Sequence, residues 1–319
     1  MSPPRTLNIG LIGAGRWGRV YIDTLARLDG LRLARLASRN PDSRALVGAD
    51  CAVTRSWRAL VQAGDLDGVI VATPPALHAD MARAAMRAGL PVLVEKPLTA
   101  DLKQARALLA LAEAAGAFAM VDHVHLFHPA YRALKRRALM LGGIQSIRSA
   151  GGNRGPFRGD ADVLWDWGPH DVAMVLDLVG EMPVNVAAER VKRRRTKQGT
   201  GEILDLTLTF ADGLQAMVRI GNILDQKTRY LAAHFTRHLL IYDDTDAAKL
   251  VEERLTDSPR CIVEEEPPKY MAMDHELPLD RCLLDFADGI RAGSRDLSGL
   301  RLGVRVVEVL TRAQEALGR

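Results

Sequence analysis

The sequence predicts an α/β protein: a doubly wound parallel sheet over residues 1–122, then an α+β domain with a large, mainly antiparallel sheet over residues 123–319. Three observations predict it. Short apolar runs alternate with helix-length segments through the first 122 residues, and a glycine-rich turn stands directly after the first run. Beyond Asp122 the texture changes to period-two alternation about a hairpin signal.

The strands expected in the first domain are Leu7–Ile12, Leu31–Ala37, Gly68–Thr73, Pro91–Glu95 and Ala117–Asp122. Most are continuous apolar runs, the pattern of parallel strands covered on both faces. Helices are expected near Trp17–Leu28, Pro75–Ala88 and Leu102–Ala115. Thr99 reads as the N-cap of the last, with Asp101 complementing its dipole, and Gly89 and Gly116 stand where helix-ending glycines belong. In the second domain, Leu204–Phe210 and Leu214–Ile220 flank Asp212-Gly213 as an antiparallel hairpin. Leu206, Leu208 and Phe210 take one face of it, and Asp205, Thr207 and Thr209 the other. His238–Tyr242 reads as a further strand and Val304–Leu317 as a closing helix.

Composition narrows the class. Hydrophobic residues at 48% and charged residues at 26% describe a globular chain, and no run nears eighteen apolar residues. The short apolar stretch Ile9–Ile12 runs into glycines, which suits a buried strand better than a signal core. Three scattered cysteines, Cys51, Cys261 and Cys282, read as buried hydrophobes of a reducing compartment, and the expected address is the cytoplasm, with no membrane contact. The pI of about 9.1 comes from one place. Lys192, Arg193, Arg194, Arg195 and Lys197 supply five positives, and without them the net charge falls from +4 to −1. The run reads as a solvated loop between two strands, so no nucleic-acid partner is expected.

Gly13-Ala14-Gly15-Arg16-Trp17-Gly18 is a G-x-G-x-x-G turn between the first strand and the first helix, the Rossmann fingerprint for a dinucleotide. The first glycine makes the turn, and the second lets a pyrophosphate approach the backbone. The third lets the helix pack on the sheet, and the helix N-terminus offers N–H groups and a positive dipole end. Arg16 and Trp17 belong to the same loop. An NAD site usually carries a carboxylate after the second strand, but here the strand ends Ala37-Ser38-Arg39-Asn40. A hydroxyl and a guanidinium suit a 2′-phosphate, so Ser38 and Arg39 favour NADP, with NAD as the alternative.

Two further signals stand at strand ends, where ligands of open α/β sheets bind. Ala72-Thr73-Pro74-Pro75 follows the third strand with His78 one turn on, and Glu95-Lys96-Pro97 follows the fourth. Thr73, Pro74, His78, Glu95 and Lys96 therefore join the expected cofactor site.

With these motifs, and with Asp166-Trp167-Gly168-Pro169-His170, the chain resembles the glucose–fructose oxidoreductase / inositol dehydrogenase (Gfo/Idh/MocA) family from end to end. The resemblance implies a nicotinamide-dependent oxidoreductase acting on a carbinol or ketone of a sugar, cyclitol or nucleotide sugar. It implies a catalytic trio of Lys96, Asp166 and His170. Those types fit the chemistry: a carbinol losing hydride needs a base for its hydroxyl proton, and histidine titrates near neutrality. If Asp166 and His170 share a helix, their i, i+4 spacing puts them on one face; an extended segment before Pro169 would weaken that geometry. Lys96 would bond the reacting oxygen and hold down the pKa of the histidine. Many members carry an aspartate three residues after the histidine, where this chain has Ala173. Asp171 follows His170 directly, which leaves Asp166 and Asp171 as alternative partners, Asp166 being favoured.

The resemblance also makes Asp122–Pro129 the hinge between domains, with His123 near the nicotinamide. His123, His125 and His128 alternate like metal ligands, but no carboxylate or cysteine cluster joins them, so no metal is expected. Asn153, Arg154 and Trp165 are further candidates to meet substrate. A homodimer or homotetramer is expected if one face of the second sheet is uncovered. Two other readings fit the motifs: a regulator that keeps the fold without turnover, and an enzyme that retains its nicotinamide for redox-neutral elimination or hydrolysis.

Overall fold

A computed structural model describes residues 5–155, 157, 162–197, 199–255, 269–270 and 276–318. The chain forms two compact units. The first holds residues 1–123 together with Leu279–Val307, and the second holds Val124–Pro278 and Glu308–Arg319. Residues 279–307, assigned by the sequence reading to the second domain, thus return to the first.

The first unit is a six-stranded parallel sheet in the order β3-β2-β1-β4-β5-β6. Its strands are β1 (Leu7–Ile12), β2 (Leu31–Ala37), β3 (Ala52–Thr54), β4 (Gly68–Val71), β5 (Val92–Glu95) and β6 (Ala119–Asp122). Val69, Ile70, Val71, Val92, Leu93 and Val94 are fully buried, as central strands covered on both faces must be. Helices α1 (Arg16–Arg27), α2 (Trp57–Val61), α3 (His78–Arg87) and α4 (Leu102–Ala115) connect them. The cap of α4 is Asp101, whose carboxylate accepts the Gln104 N–H at 2.9 Å. Thr99, expected in that role, instead bonds the Asp101 backbone N–H and carbonyl, because it stands two residues before the cap position. Gly116 ends α4 in the left-handed region at φ 58°, where a side chain would be strained. Helix α7 (Pro278–Arg291) packs here through Phe286, stacked on Phe118 at 5.8 Å.

The second unit is an eight-stranded sheet in the order β14-β13-β12-β11-β7-β10-β9-β8, antiparallel except for the β7/β10 pair. Its strands are β7 (Ser146–Arg154), β8 (Asn185–Thr196), β9 (Gly199–Thr209), β10 (Gln215–Gly221) and β11 (Ile223–His234), then β12 (His238–Asp243), β13 (Leu250–Arg254) and β14 (Lys269–Tyr270). Helix α5 (Pro129–Leu141) precedes the sheet, and α6 (Val163–Val179) crosses its inner face. The β9/β10 hairpin keeps the expected alternation. Leu204, Leu206, Leu208 and Phe210 are buried, while Asp205 pairs with Arg219 on the outer face. The last helix, α8 (Ser298–Ala316), runs from one unit into the other.

The basic run is not a loop. Lys192–Arg195 belong to β8, the edge strand, in register with β9. Glu202 on β9 is buried and ion-pairs with Arg190 at 2.9 Å and Arg193 at 3.3 Å, so part of the positive charge is neutralised inside the sheet. Charged side chains along an edge strand also discourage pairing with another chain. Cys261 lies outside the described residues. Among the described residues no helix is long and apolar enough to cross a membrane.

Candidate active site

The nucleotide loop is built by close backbone approach. Gly13 has φ 107°, and a Cβ there would stand 2.4 Å from the Ala72 carbonyl oxygen. A Cβ on Gly18 would stand 2.1 Å from the Gly13 carbonyl oxygen. Both positions therefore exclude any side chain. Gly15 is the opposite case: nothing lies within 4 Å of its Cβ position, so the backbone is open there. Gly15 also caps α1 with no side-chain bond, and the first turn of α1 carries no acid. An uncrowded N-terminus of a twelve-residue helix, offered over a bare backbone, fits a dinucleotide pyrophosphate.

At the end of β2, the Ser38 hydroxyl lies 2.7 Å from that of Ser43 and accepts the Asn40 N–H at 3.2 Å. It braces the turn. Arg39 is exposed, and among the described residues no carboxylate pairs with it. Arg16 and Trp17 start α1, Arg16 exposed and Trp17 half-buried.

Thr73 and Pro74 leave β4. His78, expected to touch the cofactor, is fully buried. Its ring nitrogens lie 2.7 Å from the Thr73 carbonyl oxygen and 2.9 Å from that of Pro97. Burial holds its pKa down against the two carbonyls. His78 is a tether between the β4 and β5 ends.

Glu95 ends β5, buried, and Lys96 follows it half-buried, joined to Pro97 through a cis peptide. The β5/β6 register makes Glu95 and Asp122 direct neighbours. The Tyr21 hydroxyl of α1 donates to Asp122. Burial raises Asp122 to about 6, against the Tyr21 and Cys282 bonds and the Lys96 charge. His123 is pushed down to about 3, first by burial and then by Lys96, so its ring is neutral at physiological pH. Neither of its nitrogens has a hydrogen-bond partner among the described residues.

In the second unit, α6 carries Asp166 and His170 one turn apart. The helix runs unbroken through Pro169, so the i, i+4 geometry holds despite the lost N–H at that position. Asp162 caps it, accepting the Leu164 N–H at 2.8 Å. The His170 ring is buried edge-to-face with His125, centroids 5.0 Å apart. His125 Nδ1 lies 3.2 Å from the hydroxyl of buried Tyr242.

Asp171 points elsewhere. It is fully buried, ion-paired with Arg229, and accepts the Ser149 hydroxyl at 2.5 Å. The Arg229 guanidinium lies 5.8 Å from the centre of the Trp167 ring. Burial raises the Asp171 pKa, with Arg229 and Ser149 opposing. Gly151 is required beside this pair, since a Cβ there would stand 2.4 Å from both charged groups. Asp171 is thus committed to the sheet.

Of the candidates for substrate contact, Trp165 turns its indole N–H to Gln314 on α8 at 2.6 Å. It braces α6 against α8. Asn153 accepts the Arg154 N–H, and Arg154 is exposed at the end of β7. Of the three histidines after β6, His123 stands apart, while His125 and His128 share Tyr242 and Asp244. His123 is buried in the first unit, and His125 meets Tyr242. His128 caps α5 and faces Asp244 at 3.3 Å.

A family model described as "Oxidoreductase family, NAD-binding Rossmann fold" (GFO_IDH_MocA) matches residues 7–123. Inositol 2-dehydrogenase of Rhizobium meliloti is 30% identical over 67% of this chain and 68% of its own length. UDP-N-acetylglucosamine 3-dehydrogenase of Acidithiobacillus ferrooxidans is 32% identical over 70% and 69%. The chain belongs to the Gfo/Idh/MocA oxidoreductase family. A solved structure from Magnetospirillum magnetotacticum MS-1 superposes on this family member with a TM-score of 0.88 and 41% identity, covering 96% of this chain and 99% of that one. Within this Gfo/Idh/MocA chain, the sequence motifs gave no functional role to Tyr21, Asp122 or Tyr242, and weighed His125 only as part of a metal-ligand pattern. Asp122 and His125 lie beside His123 in the sequence, but their partners stand 101 and 117 residues away.

Proposed function

We propose that the protein is an NADP-preferring dehydrogenase or reductase, which moves hydride between nicotinamide and a carbinol or ketone of a sugar, cyclitol or nucleotide sugar. The observation that carries the reading is the open cradle at Gly15 over the N-terminus of α1, in a chain that also carries Asp166 and His170 on one face of α6. The substrate class draws support from the relatives named as inositol 2-dehydrogenase and UDP-N-acetylglucosamine 3-dehydrogenase. A relative named D-xylose 1-dehydrogenase (NADP(+)) 2, from Haloferax volcanii, is 29% identical. Arg39 is exposed, and among the described residues no carboxylate pairs with it, which suits a 2′-phosphate.

Nicotinamide, when bound, supplies the hydride acceptor or donor. The protein supplies position and proton handling. Lys96 donates a hydrogen bond to the reacting oxygen and stabilises negative charge there. His170 takes the hydroxyl proton during oxidation and returns it during reduction. Asp166, one turn before it, orients the imidazole; Asp171, bound to Arg229 and Ser149, is not available for that role.

Turnover with NADP+ or NADPH over a panel of aldoses, cyclitols and nucleotide sugars tests the reading. Lys96→Ala and His170→Ala are expected to bind NADPH as wild type does and to lose about 10²- to 10⁴-fold in kcat. Wild-type kcat in both variants would remove the assigned roles.

A further inference from the structure

We propose that His125, held by the Tyr242 hydroxyl, is a positioning residue for His170: its ring fixes the plane of the imidazole that handles the proton. The inference rests on the proposed role of His170 as the base, and gives a task to a histidine that the sequence marks only by its spacing.

The need for such a residue lies in the side chain itself. A histidine turns about χ2 in a broad, roughly two-fold well, so its backbone does not set the ring plane. Asp166 stands one turn before His170 on the same helix, α6. A contact from outside α6 completes the restraint, and His125 makes it. His125 lies on the short 3-10 turn Val124–Phe127. Its ring meets that of His170 edge-to-face, at 84° with centroids 5.0 Å apart. That arrangement is the one aromatic quadrupoles favour. His170 is buried, so little water competes for the contact.

His125 is held in its turn. Its Nδ1 lies 3.2 Å from the Tyr242 hydroxyl, 117 residues away on β12. Tyr242 points inward with Leu240 in the period-two alternation of β12, and both are fully buried. Burial keeps the phenolic proton in place, so the hydroxyl stays neutral. The Tyr242 ring is packed by His128 at 5.1 Å and by Tyr131 at 6.2 Å between centroids. His128 is fixed at both nitrogens: Nδ1 accepts the Ala130 N–H at 3.0 Å, and Nε2 lies 3.3 Å from Asp244. With Nδ1 an acceptor, the neutral ring carries its proton on Nε2 and presents it to Asp244. The Asp244 N–H donates to the Arg229 carbonyl at 2.9 Å, which ties that residue to β11. Tyr131 closes the circuit. Its hydroxyl lies 2.8 Å from the carbonyl oxygen of Met174, one turn past His170 on α6. The contacts thus run from α6 through the 3-10 turn, β12 and α5 and back to α6, within one turn of His170.

The test reads His170 without turnover. Full-length protein is prepared with isotope-labelled histidine, and the His170 ring resonances are assigned among the eight histidines by their loss in His170→Gln. Tyr242→Phe deletes one oxygen and keeps the aromatic packing. The His125 ring is then expected to lose its fixed orientation, which shifts the His170 ring resonances and leaves those of His78, buried in the first unit, unmoved. His170 resonances identical to wild type overturn the proposal, and so does a change spread equally over both histidines. Where wild type turns over, Tyr242→Phe is expected to lose about tenfold in kcat with the KM for NADPH unchanged. Should Tyr242→Phe fail to fold, His125→Phe keeps a ring against His170 and drops the bond to Tyr242. The same loss in kcat is expected there, and a wild-type kcat overturns the proposal. Shifted His170 resonances in a protein with no turnover on any alcohol or ketone would uphold the positioning and remove the dehydrogenase reading instead.

Discussion

Asp122 and His123 are adjacent in the chain, and burial pushes them in opposite directions, Asp122 up to about 6 and His123 down to about 3. Each shift has a sign in stability. Folded Asp122 binds its proton more tightly than the unfolded chain does. Its contribution is therefore greatest below about pH 4 and is lost as pH rises towards 6. Folded His123 binds its proton less tightly, so its contribution grows as pH rises from about 3 towards the ordinary value of 6.5. Between pH 4 and 6 the two oppose. Urea unfolding of Asp122→Asn across that window is expected to show stability climbing with pH more steeply than in wild type. Equal slopes would mean that Asp122 is not shifted. The glycines at 13, 15 and 18 were legible because their spacing states a backbone requirement, which the blocked Cβ positions at Gly13 and Gly18 explain. The partners of Asp122 and His125 were not, because nothing local announces a contact with Tyr21 or Tyr242.

Parallel strands buried on both faces announce themselves as apolar runs, which is why β1, β2, β4, β5 and β6 could be read from sequence. β3 could not: three residues at the sheet edge, Ala52 to Thr54, hold too little apolar pattern. The cap of α4 slipped from Thr99 to Asp101 for want of turn geometry that only the folded loop supplies. α6 was the element in doubt, because proline usually interrupts a helix. Here twelve buried residues and the Asp171–Arg229 pair anchor it to the sheet through Pro169. The pair can be weighed. Arg229→Met leaves Asp171 buried and uncompensated, and is expected to destabilise the protein by about 3–5 kcal/mol in urea unfolding. A loss under about 1 kcal/mol would show that the pair does not hold α6.

At the scale of the molecule, the order of strand–helix alternation and then hairpin pattern foretold two units of different class. The return of Leu279–Val307 to the first unit did not show in the sequence, since an amphipathic helix such as α7 does not say which sheet it covers. The proposed function depends on the first unit holding a dinucleotide with a 2′-phosphate, and that is where one measurement decides most. Fluorescence titration of wild type and Arg39→Ala with NADPH and NADH reads it directly. Wild type is expected to bind NADPH at least about tenfold more tightly than NADH, and Arg39→Ala to lose this preference while keeping its NADH affinity. An unchanged NADPH-to-NADH ratio in Arg39→Ala would contradict it.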